Sequence, residues 1–168
     1  MALVVEDGTG LATAEAYDSV ANFDTYVALF AYDVSAYTTA NKEVALRIAA
    51  RYVDAKFGDQ FIGWRGSRTQ ALEWPRGGAQ DADGWLLDDD VLPVEIQNVS
   101  HELAFLSFTN TLLPDVASGE SGKTIERTKV GPIEISETFG SSSSQAPQWR
   151  TAHKMLRRIL QPTRIMRA

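Results

Sequence analysis

Four stretches of this chain space their apolar residues by threes and fours, and one spaces them by twos. That balance commits the chain to helices before any motif is weighed. Val20, Phe23, Val27 and Phe30 follow Ser19, a side chain suited to capping, and predict a short first helix with one apolar face. Ala45, Ile48, Tyr52 and Ala55 form the stripe of a second helix, predicted from Asn41 to Phe57 and ending near Gly58. Ile96, Val99, Leu103, Leu106 and Leu113 predict the longest helix, with Pro93 in its first turn and an end near Pro114. A last helix, Pro147 to Leu160, gathers Trp149, Ala152, Leu156 and Ile159 on one face and Arg150, Lys154, Arg157 and Arg158 on another.

The period of two falls between Thr124 and Phe139. Ile125, Arg127 and Lys129 alternate with Glu126 and Thr128; Val130-Gly131-Pro132 interrupts; Ile133 and Ile135 then alternate with Glu134 and Ser136. This predicts a β-hairpin. A lone two-stranded ribbon is marginal in water and needs a surface to pack on. Residues 58–92 read as irregular, crowding Gly, Pro, Asp and three tryptophans into a loop long for a compact domain. Those tryptophans are expected to pin the loop to the core. The resulting fold class is mainly α: a small bundle of about four helices with one β-hairpin and a C-terminal helical arm. In this reading residues 1–139 form the body, with the hairpin at 124–139. Residues 140–147 form a flexible serine-rich linker, and residues 148–168 a basic arm.

Charge sharpens that division. Residues 1–147 hold all 22 acidic side chains against ten basic ones, while residues 148–168 hold the other six basic ones and no acid. An acidic body with a basic tail predicts a partner for the tail. There is no cysteine, which excludes disulfides, thiolate zinc sites and cysteine nucleophiles. No apolar run approaches the roughly 20 residues of a membrane helix, and the N-terminus lacks the pattern of a signal peptide, so no membrane partner is expected.

Catalytic motifs fail on context. "ASGESGKT", Ala117 to Thr124, fits the relaxed phosphate-loop spacing, with Lys123 and Thr124 placed for phosphate and magnesium. A phosphate loop needs a strand before it and a helix after it, because the helix N-terminus and backbone N–H groups surround the anion. Here a helix end precedes and a strand pattern follows, so the segment reads as a polar turn. His101–Glu102 would open a zinc-protease motif, but Phe105 stands where the second histidine belongs. His101 is expected at a polar surface or interface. From Asp81 the glycine of a calcium loop arrives at the fourth position instead of the sixth, and Leu92 occupies the acidic twelfth. No catalytic residue, metal ligand or cofactor is expected, and the chain reads as no enzyme.

Several segments in order carry a family likeness: "GTGL" and "AEAY" before the first helix, "RYVDAKF", "WRGSR", "LEWPRGG", "DADGWLL", "LPVEIQNVSHELA" and "KVGPIEI", with Trp74-Pro75-Arg76 the most distinctive. Over residues 1–139 this resembles the phage and prophage family labelled DnaT-like single-stranded DNA-binding proteins. It is also similar in layout to the head-to-tail adaptors of tailed bacteriophages. The adaptor likeness implies a subunit of a dodecameric ring in the neck of a virion, assembled in the host cytoplasm, with the portal above and a tail or neck protein below. Double-stranded DNA would pass through without specific binding.

On that reading the portal-docking arm comprises Trp149, Arg150, Lys154, Leu156, Arg157, Arg158, Ile159, Arg164 and Arg167. The interface with a neighbouring subunit or the tail comprises Ile125, Arg127, Lys129, Val130, Ile133, Ile135, Trp74 and Arg76. A single-strand binder needs a basic groove with exposed aromatics, and an acidic body opposes one. The expected function is therefore the adaptor; the alternative is a single-stranded DNA-binding accessory protein of phage replication.

Overall fold

The computed structural model describes residues 2–113, 124–130, 133–139 and 150–161. Helix α1 (Val20–Leu29) starts where Ser19 accepts the N–H of Asn22, and buries Phe23 and Val27. Helix α2 (Thr39–Phe57) starts two residues before Asn41 because Thr38 and Asn41 each accept the other's backbone N–H, a reciprocal cap. Helix α3 (Val94–Ser107) begins after Pro93. At 14 residues it is shorter than α2 at 19, and Leu113 lies beyond its end, exposed.

The second helix turns a different face inward from the one expected. It buries Ala45, Leu46, Ala49, Ala50, Tyr52, Val53 and Phe57, while Ile48 and Ala55 are exposed. Alanines on several sides leave α2 without a unique apolar stripe, so its partner α3 selects the buried face.

The larger correction concerns the C-terminal helix. Helix α4 (Arg150–Leu156), extended by a 3-10 turn at Arg157–Ile159, packs against α3 and buries Ala152, Leu156, Ile159 and Leu160 in the same core. Main-chain bonds fasten it further: Ile62 N–H to Ile159 O (3.2 Å), Ala82 N–H to Arg158 O (2.9 Å) and Gln161 N–H to Gln60 O (2.7 Å). The apolar stripe that suggested a docking arm is covered by the chain's own helices.

Contacts accordingly group the described residues 2–112 and 150–161 into one unit, and the hairpin belongs to a second, Leu113–Gln148. That grouping departs from a body of 1–139 and a separate arm. In the second unit strands β3 (Thr124–Val130) and β4 (Ile133–Phe139) pair antiparallel, Thr124 opposite Phe139 and Val130 opposite Ile133.

In the first unit the N-terminal turn is organised by one buried carboxylate. Glu6 accepts the N–H groups of Gly8 (3.0 Å), Gly10 (2.8 Å) and Leu11 (2.9 Å). Gly8 sits at φ +97°, and a Cβ there would fall 1.8 Å from Asp90 O, so only glycine lets this turn meet the segment leading into α3.

Candidate functional site

The loop from 58 to 92 is anchored from beneath. The Tyr17 hydroxyl donates to Asp54 of α2 and accepts the N–H of Glu73 (3.1 Å) and Trp74 (3.4 Å). Asp54 Oδ2 accepts the Glu73 N–H as well (3.3 Å). Burial pushes the Asp54 carboxyl up to about 7, against the lowering effect of its bonds from Tyr17 and Glu73. Burial likewise drives the Tyr17 hydroxyl well above its ordinary value, with Asp54 adding to the effect.

Trp74 is 0% exposed and meets Phe61 edge-on at 5.8 Å. Arg76 is buried too: it donates to Ile62 O (2.9 Å), Gly63 O (3.1 Å) and the Glu73 carboxylate (2.8 Å). Both residues, expected at an intermolecular interface, are interior parts that hold this loop together. Arg76 also opens the short strand β2 (Arg76–Gly77), which pairs antiparallel with β1 (Trp64–Arg65).

The other two tryptophans of the loop point to solvent, contrary to the expectation that all would pin it. Trp64, 66% exposed, lies over Gly77 and Gly78. A Cβ at Gly78 would come 2.2 Å from the Trp64 ring, so the glycine pair serves as the bed for the indole. Trp85, 73% exposed, ends a turn in which Asp81 Oδ1 accepts the N–H of Asp83 and of Trp85, each at 2.9 Å.

The segments that carry both tryptophans are bonded to the C-terminal helix. Trp64 follows Ile62, whose N–H bonds Ile159 O. The Trp85 turn is tied to α4 by the Ala82–Arg158 main-chain bond and by an Arg158–Asp83 ion pair. Between these bonded segments and the end of α4 opens a cleft of about 670 Å³, lined among others by Gln60, Gln80, Asp81, His153, Arg157 and Gln161. Arg150, His153, Lys154 and Arg157 are exposed on the same unit, whereas Leu156 and Ile159 are buried. Trp149, Arg164 and Arg167 lie outside the described residues.

A second aromatic group packs between α1 and α3. Tyr32 stacks on Phe105 (ring centroids 4.2 Å) and Tyr37 on Phe108 (3.8 Å), while the hydroxyls of Tyr26 and Tyr32 both donate to Glu102 at 3.3 Å. Burial, with Glu102 adding, raises the Tyr26 hydroxyl to about 12. His101, expected at a polar surface or interface, is buried within the chain here instead. Its Nε2 lies 3.2 Å from Asp18 Oδ2 without hydrogen-bond alignment, and the Tyr26 ring sits 5.0 Å away. The surface expectation fails because α3 is covered along more than one stripe: Ser100, His101 and Ala104 are buried as well as Ile96, Val99 and Leu103.

The remaining sequence candidates gather no chemistry. Residues 117–123 of the phosphate-loop pattern lie outside the described residues, and Thr124 opens a strand, where that chemistry needs a helix. Asp81, Asp83 and Asp89, the loop acids that suggested calcium, accept from their own turn, pair with Arg158, and accept the Gly78 N–H (3.2 Å) respectively. Among the described residues no group of three or more His, Cys, Asp or Glu is placed to hold a metal ion, and no helix is long and apolar enough to cross a membrane. Ile125, Arg127, Lys129, Val130, Ile133 and Ile135 all belong to the β3–β4 ribbon; Lys129 stands opposite Glu134 and Arg127 opposite Ser136.

The family model described as "Putative DnaT-like ssDNA binding protein" matches residues 1–168, the full chain. No curated protein and no solved structure matches. The family match overturns the reading as a ring-forming virion adaptor. With that reading go the portal, the tail or neck protein, the dodecameric ring and passively conducted duplex DNA as partners. The charge reading weighs the acidic body without its basic helix, yet α4 belongs to the same unit as the loop that exposes the two indoles.

Proposed function

We propose that this chain, which belongs to the DnaT-like ssDNA binding family, binds single-stranded DNA through Trp64, Trp85 and the cations of α4. One observation carries the reading: burial of Leu156 and Ile159 fixes α4 against the tryptophan loop, so Arg150, Lys154 and Arg157 stand on the unit that exposes both indoles. Single-strand binding without sequence preference needs those two ingredients, flat aromatic surfaces for bases and cations for phosphates. The reading involves binding alone, with no catalytic step.

Acidic residues limit the electrostatic share. The whole chain carries a net charge of −6, and Arg158 is already occupied by Asp83. Stacking is therefore the larger contribution, and phosphate neutralisation the smaller. The test is a salt titration of binding to oligo(dT), followed by tryptophan fluorescence, beside a duplex of equal length. Three engaged cations predict a log–log slope of about −2 for a single strand. Quenching by the strand, with the duplex much weaker, is the expected result. Equal binding to both, or none at low salt, overturns the proposal.

A further inference from the structure

The cleft at the end of α4 is lined by polar side chains. Three glutamines line it, each oriented by a bond to the main chain: Gln60 Nε2 donates to Lys56 O (2.9 Å), Gln80 Nε2 to Gly84 O (2.7 Å) and Gln161 Nε2 to Phe61 O (3.1 Å). With one N–H of each amide engaged by the protein, each glutamine offers a ligand its oxygen and its second N–H. Asp81 adds a fourth acceptor, since its Oδ1 is occupied by two backbone N–H groups and its Oδ2 accepts no hydrogen bond among the described residues. Further side-chain donors in the lining come from the end of α4, from Arg157 and His153. The volume, about 670 Å³, falls within the range of small-molecule sites.

The geometry points to a pocket for one unstacked base of the bound strand, selective for bases that carry an exocyclic amino group; this rests on the single-strand reading above. Cytosine, adenine and guanine each present an amino donor to the glutamine oxygens and the Asp81 carboxylate. Each also presents a ring or carbonyl acceptor that Arg157 can meet. Thymine has no amino group to offer the Asp81 carboxylate, the acceptor-only group of the lining: its single ring N–H is flanked by two carbonyls, which a carboxylate oxygen disfavours. The turn that carries Asp81 also carries Trp85, so a base in the cleft leaves its neighbour in the strand beside an exposed indole.

The test compares oligo(dT) with the same oligomer carrying one central cytosine, or one central adenine, on the intact protein. The substituted strands are expected to bind about five-fold tighter, the worth of one or two added hydrogen bonds. Gln80→Leu, a change at an exposed side chain, should bring that ratio close to one, and Arg157→Ala should reduce it. Circular dichroism of each variant confirms the fold. Tight oligo(dT) binding with a ratio near one in the wild type overturns the base pocket and leaves the single-strand reading standing. A ratio that survives in both variants overturns the assignment to this cleft. No binding to any strand overturns the single-strand reading itself, and the pocket with it.

Discussion

The two aromatic groups of this protein differ in what their rings touch. Between α1 and α3, Tyr32 and Phe105 stack face to face, and two tyrosine hydroxyls close on Glu102, so the rings satisfy one another and a carboxylate stands at their edge. In the loop between α2 and α3, Trp64 rests over a glycine pair and Trp85 ends a turn, and both leave most of their surface to water on the unit that also exposes Arg150, Lys154 and Arg157. Aromatic content alone thus does not make a nucleic-acid surface. What distinguishes the two is an unoccupied ring face.

That contrast can be broken or sharpened experimentally, beginning with the largest effect. The exposed indoles depend on the buried anchor beneath them, where the Asp54 carboxyl is pushed up to about 7. A folded-state value above the ordinary 3.8 means the native protein holds a proton that the unfolded chain releases. The stability from this group is fully present below about pH 4 and is lost as pH rises to about 7. Urea denaturation at pH 4.5 and pH 7.5 should show that fall in the wild type and much less of it in Asp54→Asn. Across that span the loss is on the order of 3 kcal/mol, because each tenfold change in proton affinity is worth about 1.4 kcal/mol. Parallel curves for the two proteins would sever the anchor from the pH dependence.

Next comes a crossed pair of truncations. Trp85→Ala should weaken binding to single-stranded DNA by about 1–3 kcal/mol while shifting stability by no more than about 0.5 kcal/mol. Phe105→Ala should do the reverse, costing about 2 kcal/mol of stability and leaving the DNA affinity of the folded protein unchanged. If Phe105→Ala weakens binding as much as Trp85→Ala, the division between packing rings and binding rings fails. The smallest effect belongs to charge: Arg157→Ala should make the log–log salt dependence shallower by about 0.7, one phosphate contact on a single strand. An unaltered slope removes Arg157 from the strand's path.

The candidate site was only partly legible in the chain. "WRGSR" and "DADGWLL" marked a tryptophan loop of unusual length, and "LEWPRGG" marked its most distinctive point. Nothing local told Trp74, which is buried, from Trp64 and Trp85, which are not, because all three sit among glycines, arginines and acids. The sorting follows from Phe61 and the Tyr17–Asp54 pair, which claim one indole and the backbone on either side of it. The cleft was invisible for the same reason: Gln60, Gln80 and Gln161 are far apart in the chain and ordinary one by one.

Local chemistry decided the helices. Ser19 and the Thr38–Asn41 pair set two of their starts, and glycine at φ > 0 set the N-terminal turn, because caps and backbone angles are settled within a few residues. The inward face of α2 and the burial of His101 and Trp74 were decided only by tertiary packing. So was the attachment of α4, whose amphipathic stripe would have suited a foreign groove as well as the chain's own core. An apolar face specifies that it will be covered, and only the assembled neighbours specify by what.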